Sequence, residues 1–387
     1  MLALLAALAT AAPASCTERL CGSAVLAPVF AKLAQGAPVH ILQLGDSHTA
    51  GDAITGAWRA RLQARYGQGG RGVLAAGRPY AGYLTWGVTA AQSGGWRVSG
   101  LLRQTGAALG LAGFTQTARA AGETLTLAAD GPEQMFDRLI VCAATGPNAG
   151  EITLRLGEAA MNWPLGAPAD RPECRALDSE APASLASIVT LDDAPVGITS
   201  MAVFRRSGGL SLSNLGTVGA QLVHFGRADD AVLQAEFAAY RPDLVVLAFG
   251  TNEGFSGTAD GAEAALRTQV VRLRAMSDAP ILLLGAPDAA GQGRAGQACG
   301  GGWASPALLG QIRERQRRTA RALGLAYWDW AAAMGGRCAA SRWVRAGLMR
   351  GDHVHFTREG GARIAALLDA AFMREARLDA AFMGEAR

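Results

Sequence analysis

The stretch at positions 39–52, VHILQLGDSHTAGD, constrains the fold more than any other part of the chain. An apolar run, Val39–Leu44, stops at Gly45 and is followed by Asp46 and Ser47 before a helical pattern begins. A buried strand that turns into a helix at a glycine places a polar side chain at the carboxyl edge of a sheet, where open α/β folds bind their ligands. Two interpretations are open at this point: Ser47 is a nucleophile beside free helix N–H groups, or Asp46 and Ser47 only cap the helix.

Strand-like and helical segments alternate through much of the remaining chain. Helical patterns occupy 54–66, 228–240, 260–276, 306–323 and the segment from 358. Apolar strand-like runs occupy 210–215, 243–249, 280–285 and 325–328. This alternation predicts an α/β fold, in which a parallel sheet is covered by helices on both faces.

The middle of the chain has a different texture. Positions 67–96 are rich in glycine and aromatic residues, and we expect an ordered loop region there. From about 97 to 206, short alternating runs are separated by Gly, Pro and Asp, which predicts an antiparallel β-sandwich inserted into the α/β domain.

Three further turns match the first one. A strand end at 214–220 leaves a bare backbone at Gly219, and a second strand ends in Gly-Thr-Asn, with Asn252 as the amide. The sequence GDHVHF precedes the last helix and places Asp352 three residues before His355. In a turn or a first helical turn, that spacing puts both side chains on one side. The aspartate can then orient the histidine, which can take a proton from Ser47.

These four motifs resemble the four blocks of the SGNH/GDSL hydrolase family. The blocks are GDSH around Ser47, the turn at Gly219, GTN with Asn252, and DHVH with Asp352 and His355. The resemblance implies a flavodoxin-like parallel sheet with Ser47 as nucleophile, His355 as base and Asp352 as its partner. It also implies an oxyanion hole made by the N–H groups of Ser47 and Gly219 and the amide of Asn252, with no cofactor.

The form GDSHTAGD is closer to one branch of that family, the peptidoglycan O-acetylesterases of Gram-negative bacteria. Those proteins are exported and carry a carbohydrate-binding-module-like β-domain between the first two blocks. Here 172 residues separate Ser47 from Gly219, which leaves room for such a domain. The resemblance implies a periplasmic serine esterase that removes O-acetyl groups from a glycan, most simply peptidoglycan. We expect a monomer. A polysaccharide O-acetyltransferase with the same triad remains an alternative.

A metallophosphoesterase is a second alternative, because the same segments contain a group of potential metal ligands. These are Asp46, His48, His353 and His355. Such sites also need bridging carboxylates from a second strand, and no GDxxD follows the first motif. We therefore favour the serine hydrolase and expect no bound metal.

The ends of the chain and the cysteines bear on location. The apolar start, residues 1–14, closes on Ala12-Pro13-Ala14 and predicts an export signal, with lipid anchoring through Cys16 as an alternative. Six cysteines fit an oxidising compartment, and pairing neighbours in sequence is the simplest of 15 connectivities. The net charge of +4 and the absence of a basic run argue against nucleic acid as a partner.

The predicted domain organisation follows. Residues 1–14 are a signal peptide, 38–96 and 207–375 form the catalytic domain, and 97–206 form the inserted β-sandwich. The tail, 376–387, repeats LDAAFMREAR as LDAAFMGEAR and is expected to extend the last helix.

Overall fold

A computed structural model describes residues 16–17, 19–103 and 108–385. The predicted signal peptide lies outside the described residues. The centre of the molecule is a sheet whose parallel strands are β1 (Val39–Gly45), β2 (Leu210–Gly216), β3 (Leu244–Ala248), β4 (Ile281–Leu284) and β5 (Ala326–Trp328). Their order across the sheet is β2-β1-β3-β4-β5, and the short strands Leu20–Cys21 and Cys16–Thr17 continue it beyond β5. This is the flavodoxin-like order, as predicted.

Alternate residues of these strands face two separate hydrophobic cores, because successive side chains of a strand point to opposite faces. Ile41 and Val246 belong to one core, and Leu42 and Val245 belong to the other. The longer helices are α1 (Ala27–Ala34), α2 (Ala53–Tyr66), α3 (Asp230–Tyr240), α4 (Ala259–Arg274), α5 (Ala307–Ala322) and α6 (Arg358–Glu385). Helices α1, α2 and α6 cover the first face, and α3, α4 and α5 cover the second.

Shorter helices lie at the turns between these elements. They are Ser23–Leu26, Ser47–Ala50, Pro132–Gln134, Leu222–Phe225, Thr251–Ser256, Trp330–Ala333 and Ala339–Arg345. A small antiparallel sheet, Gly291–Gln292, Gly296–Gly300 and Trp303–Pro306, precedes α5. No helix among the described residues is long and apolar enough to span a bilayer.

The insertion between β1 and β2 contains two antiparallel sheets. In sheet order, the five-stranded one consists of Ala159–Pro164, Glu151–Leu156, Leu185–Thr190, Thr124–Ala129 and Val88–Gln92. The six-stranded one consists of Arg171–Ala183, Phe136–Thr145, Val196–Phe204, Phe114–Ala118 and Arg97–Gly100, with Gly72–Leu74 beside Val196–Phe204. A core that contains Trp163, Leu127 and Ile198 is shared by both sheets, so the predicted insertion of a β-sandwich is confirmed.

The expected loop region at 67–96 is wrong in part. Gly72–Leu74 and Val88–Gln92 are strands, and both pair with strands of the insertion. Turn-forming glycines around these short runs concealed them in the sequence. Helix α1 and the strand Leu20–Cys21, which precede the predicted start of the catalytic domain at 38, also pack on the α/β core. The exact domain bounds stay a prediction.

The disulfides Cys142–Cys174 and Cys299–Cys338 join neighbouring cysteines of the sequence, as expected. The first joins directly opposed residues of neighbouring strands in the six-stranded sheet. Cys21 is also disulfide-bonded, and Cys16 lies opposite it in the strand pairing. No free cysteine occurs in the described part of the chain.

Candidate active site

The predicted catalytic turns meet because their strands are neighbours. β1 lies between β2 and β3, with Gly45 in register with both Gly216 and Ala248. The turn after β1 carries Ser47, the turn after β2 carries Gly219, and the turn after β3 carries Asn252. In a flavodoxin-like sheet, the position between β1 and β3 is the topological switch point, where a crevice opens at the carboxyl edge.

The turn after β1 supports both interpretations of its sequence. The Asp46 carboxylate caps the helix Ser47–Ala50 by accepting a hydrogen bond from the His48 backbone N–H at 2.9 Å. The Ser47 hydroxyl takes no part in that cap and is free for other partners. The tight turn needs glycine nearby, since a Cβ on Gly216 would overlap the backbone of Ala50.

A continuous hydrogen-bonded series starts at Ser47. Its Oγ lies 2.9 Å from Nε2 of His355, and His355 Nδ1 lies 2.8 Å from Oδ2 of Asp352. An ionised carboxylate can only accept, so the Nδ1 proton is donated to Asp352 and Nε2 is left to accept from the Ser47 hydroxyl. Ser47, His355 and Asp352, which the sequence predicts to act together, therefore lie in hydrogen-bonding contact.

The Asp352 carboxylate is held in place by backbone N–H groups of its own loop. Its Oδ1 accepts hydrogen bonds from the backbone N–H groups of Val354 and His355, each at 2.9 Å. Burial raises the pKa of Asp352, but these backbone hydrogen bonds and the bond from the His355 ring outweigh it, so the pKa lies below its usual range. Asp352 is therefore ionised at neutral pH and favours the tautomer that points Nε2 at Ser47.

Potential oxyanion donors lie on the three neighbouring turns. The backbone N–H groups of Ser47 and Gly219 have no acceptor within the described part of the chain. Gly219 has a φ of 79°, which a residue with a side chain rarely adopts. Asn252 donates one amide hydrogen to the carbonyl of Ala220 at 2.9 Å, which leaves its second N–H available.

The four side chains proposed as metal ligands of a metallophosphoesterase are not directed at one position. His48 uses Nδ1 on Asp46 and Nε2 on the carbonyl of Val354. His353 turns away, with its ring stacked on Trp303 at 3.6 Å and buried. Among the described residues, no group of three or more His, Cys, Asp or Glu side chains is arranged to hold a metal ion. This arrangement does not favour the metallophosphoesterase.

Glu253 is a buried carboxyl beside the site. The sequence patterns predicted no role for it. Its Oε1 accepts a hydrogen bond from the Leu222 backbone N–H at 2.7 Å, and its Oε2 is buried without a hydrogen-bond partner among the described residues. Burial raises the pKa of Glu253 to about 7. The carboxyl therefore joins the Asn252 helix to the segment that follows Gly219.

A buried ion network fixes the chain after the serine helix. Asp52, fully buried with a φ of 50°, accepts hydrogen bonds from Arg59 at 3.0 Å and Arg71 at 3.1 Å. Arg71 also donates to Asn214, which in turn donates to the carbonyl of Thr49 at 3.1 Å. The only signal for this network in the sequence is the second aspartate of GDSHTAGD.

Two adjoining cavities open at this edge of the sheet. The first, ≈290 Å³, is lined by Ser47, His355 and Arg350 among others. The second, ≈460 Å³, lies between the insertion and the turn after β2 and has Arg103 in its wall. They share Tyr80, Gly82 and Val218, so the insertion forms part of the approach to Ser47.

The fold and the site together define a class. A flavodoxin-like sheet with a serine, a histidine and an aspartate hydrogen-bonded in series at its carboxyl edge matches the arrangement of hydrolases that use a serine nucleophile.

Comparisons with known proteins agree with this class. Residues 197–363 match the sequence profile of the GDSL-like lipase/acylhydrolase family, and these include Gly219, Asn252, Asp352 and His355. The structure of a peptidoglycan O-acetylesterase superposes with a TM-score of 0.76 at 28% identity, over 90% of this chain and 96% of that one. The resemblance to the SGNH/GDSL hydrolases is thus confirmed, and the protein is an esterase.

Two further solved structures match with lower TM-scores and identities. A lipase/acylhydrolase from Enterococcus faecalis matches 42% of this chain and 75% of its own, at 17% identity and a TM-score of 0.32. A family two carbohydrate esterase from Cellvibrio japonicus matches 75% of this chain and 98% of its own, at 11% identity and a TM-score of 0.27. No curated protein sequence matches the chain.

Proposed function

We propose that the protein is an exported O-acetylesterase that removes acetyl groups from a polysaccharide, with peptidoglycan as the substrate, through Ser47, His355 and Asp352. The observation that carries this proposal is the hydrogen-bonded series from Ser47 Oγ through His355 to Asp352, at 2.9 Å and 2.8 Å. It places a base on the serine and a carboxylate on the base.

The first half of the reaction forms an acetyl-enzyme. His355 Nε2 takes the proton of Ser47 as Oγ attacks the acetyl carbonyl, and Asp352 stabilises the imidazolium that results. The N–H groups of Ser47, Gly219 and Asn252 bind the oxyanion of the tetrahedral intermediate. His355 then donates its proton to the departing sugar oxygen, and the glycan leaves with a free hydroxyl at that position.

The second half releases acetate. Water gives a proton to His355 and attacks the acetyl carbon, and the intermediate collapses to acetate while the proton returns to Ser47 Oγ. A sugar hydroxyl that entered in place of water would make the protein an O-acetyltransferase. The two activities share every residue named here, so only the product separates them.

The charge of the cavities supports an anionic glycan. Arg350 and Arg103 are exposed on the walls, and neither side chain has an ion-pair partner among the described residues. No Asp or Glu is among the residues that line either cavity. The peptide stems of peptidoglycan carry carboxylates, whereas acetylated xylan backbones are neutral. The similarity to a peptidoglycan O-acetylesterase agrees with this choice.

Export to the periplasm is supported by the cysteines. The disulfides Cys142–Cys174 and Cys299–Cys338 belong to an oxidising compartment, which is where peptidoglycan lies. The apolar start of the sequence supplies the signal for export.

Acetate release from O-acetylated peptidoglycan tests the proposal, with acetylated xylan and p-nitrophenyl acetate as comparison substrates. We expect the highest kcat/KM on peptidoglycan, and Ser47→Ala should lower kcat by at least about 10⁴-fold without changing the melting temperature. Retention of most activity by Ser47→Ala would refute the serine mechanism. Transfer of acetyl groups to added glycan, with little free acetate, would identify a transferase instead.

A further inference from the structure

His48 links the two segments that carry the proposed nucleophile and base. Its side chain is 3% exposed and lies directly after Ser47. Nδ1 is 3.0 Å from Oδ1 of Asp46, in its own turn, and Nε2 is 2.9 Å from the carbonyl of Val354, the residue before His355. The ring thus bridges segments that are separated by 306 residues in sequence.

Both ring nitrogens of His48 face atoms that only accept. The Asp46 carboxylate and the Val354 carbonyl have no proton to give, so a neutral imidazole would leave one lone pair facing an oxygen at hydrogen-bonding distance. The doubly protonated ring satisfies both partners. Burial lowers the pKa of His48, but the charge and hydrogen bond of Asp46 and the bond to Val354 outweigh it, and the pKa is raised above its usual value.

The surroundings hold the ring in one orientation. Trp330 and Phe356 pack against it edge to face, with ring centroids 5.6 Å and 5.5 Å away. The titratable groups that face it are Asp46 from its own turn, and Asp352 and His355 from the opposite loop, with the His355 ring 5.6 Å away. The charge of Asp46 also contributes to the raised pKa of Glu253.

We propose that His48 is a positioning residue that donates from both ring nitrogens, as a buried imidazolium, and so holds the His355 loop against the Ser47 turn. The proposal rests on the proposed roles of Ser47 and His355. Loss of one ring proton would leave a lone pair facing either Asp46 or Val354, and the repulsion would loosen the two segments and lengthen the contact between Ser47 Oγ and His355 Nε2. A displacement of about 1 Å at a reacting pair lowers the rate by about 10²-fold.

His48→Phe tests this inference, since it keeps an aromatic ring between Trp330 and Phe356 but removes both donors. We expect kcat to fall by about 10- to 100-fold with little change in KM. The kcat of the wild type should decline at alkaline pH as His48 loses one ring proton. The kcat of His48→Phe should be lower at every pH and should not show this decline. If the His48 ring only filled space, His48→Phe would change neither kcat nor the shape of its pH profile.

His40→Gln is the matched control. His40 is also a buried histidine with both ring nitrogens in contact, with Tyr240 and Ser213, but it lies at the start of β1. It should lose stability while kcat and the pH profile stay close to those of the wild type. If His48→Phe behaves in the same way, with kcat within twofold of the wild type, the inference is overturned.

Nitrogen NMR of the wild type gives a second test that needs no variant and no activity. At pH 7 we expect His48 to show two protonated ring nitrogens, both in wild type and in Ser47→Ala. A single protonated nitrogen would overturn the inference and leave the proposed esterase function intact. Conversely, an active Ser47→Ala would remove the proposed function and leave this NMR result unchanged.

Discussion

The side-chain amide of Asn252 donates a hydrogen bond to the carbonyl of Ala220 at 2.9 Å, so the two turns that follow β2 and β3 are fastened to each other. Ala220 is the residue after Gly219. The proposed oxyanion donors therefore do not hold their positions independently, because one of them fixes the turn of the other.

Asn252→Ala should consequently lower kcat by about 10²–10³, the usual effect of removing one oxyanion donor, with a smaller change in KM. Steady-state kinetics on p-nitrophenyl acetate measures both. Gln221→Ala is the control, because Gln221 joins the same two turns through a hydrogen bond to Ser256 at 3.0 Å and has no proposed role as an oxyanion donor. A change confined to KM in Asn252→Ala would mean that the amide binds substrate and not the transition state.

The two histidines of the DHVH segment should differ in effect. His355→Ala should abolish turnover nearly as completely as Ser47→Ala, because it removes the base. His353→Ala should lower kcat much less, since its ring stacks on Trp303 and its Nδ1 is 3.1 Å from Ser341, away from the serine. Equal losses of kcat in the two variants would contradict the assignment of His355 as the base.

Glu253 should make folding stability depend on pH. Its pKa is about 7 in the folded protein, above the value of 4.5 for a free glutamate, so the folded state holds a proton that the unfolded state has lost. Stability therefore falls as pH rises from about 4.5 to 7. This change corresponds to about 2–3 kcal/mol between pH 5 and pH 8.

Glu253→Gln should remove that contribution, because the amide does not titrate. Denaturant unfolding at pH 5 and pH 8 measures the difference, and any constant cost of the buried amide cancels between the two conditions. The exposed Glu158 supplies a control in Glu158→Gln, which should keep the pH dependence of the wild type. An unchanged pH dependence in Glu253→Gln would show that this carboxyl does not titrate in the window.

The arginines on the cavity walls should select substrates by charge. In the double variant Arg103→Gln/Arg350→Gln, the ratio of kcat/KM on peptidoglycan to that on p-nitrophenyl acetate should fall about tenfold. The wild-type ratio should also fall with added salt, because exposed charges are screened. Arg155→Gln, an exposed arginine on the five-stranded sheet of the insertion, is the control. An equal fall on both substrates would mean that these arginines do not recognise the charged polymer.

Much of the candidate site could be predicted from the sequence because its signals are local. Val39–Leu44 is apolar and ends at a glycine, so it had to be a buried strand, and the structure places β1 at Val39–Gly45. The spacing of Asp352 and His355 within one turn likewise defines a contact from short-range geometry alone. Five of the six longer helices, all except α1, were predicted to within a few residues for the same reason, since their apolar periodicity lies within each segment.

Only the tertiary structure decided which residues distant in sequence contact one another or line the same cavity. Gly72–Leu74 became a strand because Val196–Phe204 offers it an edge, and nothing within its three residues requires that. His48 gained its two acceptors from Asp46 and from a loop 306 residues away, and Glu253 was buried by elements that fold around it. Sequence patterns determine local conformation, whereas burial and long-range hydrogen bonds exist only once the sheet has brought its turns together.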